Sequence, residues 1–60
     1  MEYSYSNLIH YGEIIEQYDY ESGGSIVTVK YIHLKETAAN HGKLFKILMF
    51  NGTVLEIHEL

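Results

Sequence analysis

Sixty residues without cysteine or proline exclude disulfide staples, thiolate metal sites and a cysteine nucleophile together. A chain this short hides only about 60% of the surface that its unfolded form exposes. Core burial less chain entropy comes out near zero at this size, so self-association is the support to expect. The apolar share of 47% is that of a folded chain, expected to form a single small domain over residues 1–60.

The net charge of −4 is unevenly placed. Residues 1–29 hold Glu2, Glu13, Glu16, Asp19 and Glu21 with no lysine or arginine. Lys30, Lys35, Lys43 and Lys46 follow later, against Glu36, Glu56 and Glu59. Nucleic-acid binding rests on clustered Lys and Arg, so this distribution disfavours it and favours a protein with a basic surface, or another copy of the chain. Met1-Glu2-Tyr3-Ser4-Tyr5 has neither the basic region nor the apolar core of a signal peptide, and no apolar run reaches the roughly 18 residues of a membrane span. The expected location is cytoplasmic, away from membranes.

Along the chain, residues 1–11 carry two readings, a strand or a short helix. In the helix Ser6 is the cap, Leu8, Tyr11, Ile15 and Tyr18 share a side, and Gly12 costs about 1 kcal/mol. Gly12 to Tyr20 and Ile26 to Leu34 flank Glu21-Ser22-Gly23-Gly24-Ser25 and read as a hairpin. A Gly23-Gly24 turn sets Tyr20 opposite Val27, Tyr18 opposite Val29, Glu16 opposite Tyr31 and Ile14 opposite His33, an aromatic and β-branched face expected to point inward. The other face pairs Glu21 with Ile26, Asp19 with Thr28, Gln17 with Lys30, Ile15 with Ile32 and Glu13 with Leu34.

Lys35 to Lys43 joins this hairpin to the next, with one helical turn expected near 37–40 before Gly42. Leu44 to Phe50, Asn51-Gly52 and Thr53 to Leu60 form the strongest local signal, because both central residues of a type I′ turn need φ > 0. Unbroken alternation sets Leu48 opposite Leu55, Lys46 opposite Ile57 and Leu44 opposite Glu59. On the other face Met49 meets Val54, Ile47 meets Glu56 and Phe45 meets His58. Both faces are then apolar, where a solvated antiparallel face is polar. The expected fold is mainly β: a four-stranded antiparallel meander of two hairpins, as a curled sheet or a small barrel, with Phe45, Ile47, Met49 and Val54 on the face left for self-association.

No chemistry-bearing constellation stands out. His10, His33, His41 and His58 have no i, i+2 or i, i+4 spacing to one another, the Gly pair lacks a neighbouring Lys or Arg, and no Ser, His and acid set is legible. Asn51-Gly52-Thr53 matches a glycosylation sequon, but the turn accounts for the same residues. No enzyme, cofactor or metal is expected. Of six tyrosines, Tyr18, Tyr20 and Tyr31 are assigned to the core, whereas Tyr3, Tyr5 and Tyr11 accompany the acids. Tyr3, Tyr5, Tyr11, Glu13, Glu16, Asp19 and Glu21 are the candidate partner-binding residues.

Gly12-Glu13-Ile14-Ile15-Glu16 leading into Tyr18-Asp19-Tyr20 and a glycine turn resembles the opening of small SH3-like barrels, over about a third of the chain. The resemblance implies a binding scaffold for protein or nucleic acid. In composition the chain is similar to phage-encoded inhibitors of host defence, some of them nucleic-acid mimics. The expectation is a homodimeric protein-binding module, an inhibitor or adaptor. The alternative is single-stranded nucleic-acid binding on an aromatic sheet face.

Overall fold

In the computed structural model residues 4–35 and 42–60 are described, and the helical turn expected near 37–40 lies outside them. A short helix, α1 (Tyr5–Tyr11), precedes β1 (Gly12–Ser22), β2 (Ser25–Leu34), β3 (Leu44–Phe50) and β4 (Thr53–Glu59). The four strands form one antiparallel sheet in the order β1-β2-β3-β4. It is the expected meander, and it stays open instead of closing into a barrel.

Of the two N-terminal readings a helix is what forms, but Ser4 and not Ser6 caps it, and it stops at Tyr11, leaving Ile15 and Tyr18, expected on its Leu8 side, on β1. Ser4 is extended (φ −95, ψ 158) and its side chain accepts from the Asn7 N–H at 3.2 Å, the usual N-cap arrangement. Gly12 ends the helix, donating its N–H to the Leu8 carbonyl, and at once starts β1. The chain passes so close to β2 here that a Cβ on Gly12 would lie 2.8 Å from Ile32 Cγ2, 2.8 Å from the Leu8 carbonyl oxygen and 3.0 Å from that of His33. Two of these three neighbours are backbone and cannot swing aside. Gly12→Ala is therefore expected to cost about 1–3 kcal/mol by overpacking, measured as a lowered urea midpoint. An unchanged midpoint would show that the helix-to-strand junction has slack.

Both hairpin turns have the expected geometry, with φ of 58 and 82 at Gly23 and Gly24 and of 48 and 84 at Asn51 and Gly52. Asn51 has a second task. Its backbone N–H donates to the Ile26 carbonyl at 2.8 Å and its Oδ1 accepts from the Ile26 N–H at 2.9 Å, so the second turn is tied to the start of β2.

Away from the turns, each edge strand departs from the alternation expected of it. β1 pairs as foreseen from Ser22 to Glu16, then a bulge at Ile15 sets Ile14 opposite Ile32, Glu13 opposite His33 and Gly12 opposite Leu34. β4 pairs as foreseen at Thr53 and Val54, then a bulge at Leu55 sets Glu56 opposite Leu48, Ile57 opposite Ile47, His58 opposite Lys46 and Glu59 opposite Phe45. One extra residue exchanges the faces of everything beyond it. Ile57 thereby reaches the helix side, while Glu56 and His58 go to the other.

The core lies between α1 and the sheet. Leu8, Ile32, Leu34, Phe45 and Ile47 are buried there, with Tyr5, Met49, Val54 and Ile57 packed against them. The helix is also pinned by a polar contact, since Lys30 Nζ donates to the Tyr5 hydroxyl at 2.7 Å.

Candidate interaction surface

The register fixes which side chains share the face turned away from α1. Strand pairing across the sheet gives four rows: Tyr20-Val27-Phe50-Thr53, Tyr18-Val29-Leu48-Glu56, Glu16-Tyr31-Lys46-His58 and Glu13-His33-Leu44. The two rows nearest the turns are apolar except at their β4 ends. No described helix or strand covers this face. The residue types are those of an interior, yet Tyr18 is 45%, Tyr20 49% and Phe50 40% exposed.

Val27 and Val29 are buried because they sit on an inner strand with larger neighbours on both sides, not because a second layer lies over them. The Tyr18 and Tyr20 rings are stacked, with centroids 6.4 Å apart and an interplanar angle of 27°. Desolvation, the neighbouring Tyr31 with its hydrogen bond, Tyr20 and then Glu16 raise the Tyr18 pKa above its ordinary value. Its hydroxyl is a protonated donor at neutral pH.

These positions reverse two expectations. Tyr18, Tyr20 and Tyr31 are assigned to the core by the sequence; the structure places all three on the face turned away from α1, because the helix packs against the opposite one. Phe45 and Ile47, expected on the face left for self-association, are 1% and 0% exposed beneath α1, and Met49 and Val54 pack at the margin of the same cluster. The physical reason is one helix: Leu8 takes up the face that the second hairpin seemed to leave spare, and the uncovered apolar surface moves to the other side.

The acids and tyrosines expected to meet a partner do not form one cluster. Glu13 and Glu16 lie on the open face, whereas Asp19 and Glu21 pair with Thr28 and Ile26 on the helix side, beyond the helix; all four are exposed. Tyr5 is drawn into the fold by Lys30, Tyr11 is 62% exposed, and Tyr3 lies outside the described residues. The signal that sequence reasoning missed was in Leu48 and Phe50, whose large apolar side chains share a face with Val27 and Val29.

Of the histidines, His10 packs edge-on against Tyr11 at 4.6 Å and the His58 ring bonds Glu56 at 3.0 Å. His33 lies on β2 and His41 is outside the described residues. Among the described residues no three His or acid groups stand together as metal ligands, and no helix is long and apolar enough to cross a membrane. Comparison with protein-family models, curated proteins and solved structures finds no match.

Proposed function

We propose that this chain is a non-enzymatic binding module that works as a homodimer, with the open sheet face as the surface on which the two copies meet. The observation that carries the reading is the exposed set Tyr18, Tyr20 and Phe50, beside half-buried Leu48, in a chain whose other sheet face is already packed. A small domain that buries one face of its sheet is marginally stable by itself. Each half-exposed large side chain covered by the second copy contributes about half of the 1.5–3 kcal/mol of a full burial.

The occupant is a second copy for reasons of shape, edge chemistry and area. Both edge strands carry a bulge and several charges, Glu13, Glu16, Asp19 and Glu21 on one edge and Glu56 and Glu59 on the other. These devices discourage strand addition at an edge and leave the face as the place to associate. With strands about 4.8 Å apart and about 3.4 Å per residue, the four rows cover roughly 19 by 27 Å. Two such faces in contact hide roughly 1,000 Å² in total, the lower limit of a specific interface. Asp19 and Glu21 remain outward on each copy, available to a protein with a basic surface.

A second reading has one observation in its favour: stacked Tyr18 and Tyr20 on an open sheet face are a platform on which the bases of a single strand could lie. Glu13, Glu16 and Glu56 on that face against Lys46 count against it, as phosphates are repelled. Titration with a labelled oligothymidylate at physiological salt separates the two. The homodimer reading predicts no saturable binding and a melting midpoint that rises with protein concentration. Tight oligothymidylate binding with a concentration-independent melt would replace it with the stacking platform.

A further inference from the structure

Resting on the homodimer reading, we infer that the two copies pack about a two-fold axis running along the strands, so that Glu16 of each copy lies on the Lys46 side of the other. The warrant is the third row, Glu16-Tyr31-Lys46-His58, which crosses the whole sheet with its carboxylate on β1 and the Lys46 ammonium on β3. Two identical faces packed with aligned strands have two choices of axis lying in the interface.

An axis across the strands keeps β1 over β1. It also reverses the order of the rows, so that Glu16 lies over the partner's Tyr18 and Glu13 over the partner's Tyr20, and carboxylates set against apolar rows in a partly desolvated contact are costly. An axis along the strands keeps every row level but exchanges its ends, setting β1 over the partner's β4 and β2 over the partner's β3. Glu16 then lies over the partner's His58, with the partner's Lys46 one strand in, and the same contact recurs by symmetry. The apolar rows superpose as well: Tyr18 comes over the partner's Glu56 and Tyr20 over the partner's Thr53. The apolar centres, Val27, Val29, Leu48 and Phe50, meet one another. Within one chain Glu16 and Lys46 are separated by Tyr31, so the complementarity of the row is satisfied better between copies than inside one.

In this arrangement α1 and the acids Asp19 and Glu21 face outward on both sides of the dimer. The module would present two equivalent recognition surfaces in opposite directions, and a partner carrying two basic patches would be bound with avidity.

The test uses two single variants, Glu16→Lys and Lys46→Glu. Each places like charge against like charge twice per dimer and is expected to weaken self-association by about tenfold or more in the dissociation constant, read by sedimentation equilibrium. Mixed in equal amounts, the two variants carry opposite charges at both contacts, so the mixture is expected to associate as heterodimers within about threefold of the unaltered protein. Rescue by mixing has to act between chains, which an effect on the fold of either variant cannot imitate. If the unaltered protein dimerises and mixing gives no heterodimer, the axis assigned here is wrong while the homodimer stands. If the unaltered protein is a monomer, both fall.

Discussion

Replacing Phe50 or Tyr20 with lysine is expected to turn the protein into a monomer without unfolding the single chain. Both side chains are about half exposed, 40% and 49%, so a lysine stem can lie along the sheet and extend its ammonium to water. In the dimer the same position is covered twice, once in each copy. With about half of each side chain left to cover, the loss is roughly 1 kcal/mol of apolar burial per copy, and two such losses per dimer raise the dissociation constant by about tenfold or more. Ile26→Lys is the control, because Ile26 is 47% exposed, neighbours Val27 on the same strand and points to the helix side. It should leave association unchanged. Equal disruption by Ile26→Lys and Phe50→Lys would mean that the open face has no special part in assembly.

Leu8→Ala is expected to destabilise the fold more than any other single truncation of α1. Leu8 is the one buried residue of the helix, is fully inaccessible, and closes the cluster made by Ile32, Leu34, Phe45 and Ile47. Removing its side chain leaves a cavity where the helix packs on the sheet, at a cost of about 2–5 kcal/mol. For a chain this small that corresponds to a fall of more than about 10 °C in melting midpoint at fixed protein concentration. Ile9→Ala, next to it but 40% exposed, should shift the midpoint only slightly. Similar small shifts for both would show that the helix contributes little to the core.

What the sequence made legible was local. Asn51-Gly52 and Gly23-Gly24 announce their turns because positive φ selects those residues, and the pairs nearest each turn, Tyr20 with Val27 and Phe50 with Thr53, follow from the turn alone. Beyond Glu16 and Met49 the pairing shifts by one residue. Nothing in the alternation of Ile14-Ile15 or Val54-Leu55 marks a bulge, since apolar neighbours fit either side of a pleat. The presence of a spare apolar face could be read from composition, as both sides of the second hairpin are apolar. Which side is spare depends on where seven residues of helix settle, and that is decided by the long-range fit of Leu8 beside the bare backbone of Gly12, which no local pattern encodes. The acidic N-terminal half was visible as a charge count. Its division between the open face (Glu13, Glu16) and the helix side (Asp19, Glu21) required the register, and it is that division which gives the third row its polarity.

The central claim is that the uncovered face is closed by a second copy, and sedimentation velocity of the unaltered protein between about 1 and 100 µM tests it most directly, a range over which assemblies of micromolar affinity pass from monomer to dimer. A homodimer gives a sedimentation coefficient that rises with concentration to that of a particle of twice the 7.0 kDa chain mass, together with a melting midpoint that rises in step. A folded particle of single-chain mass throughout that range would contradict it.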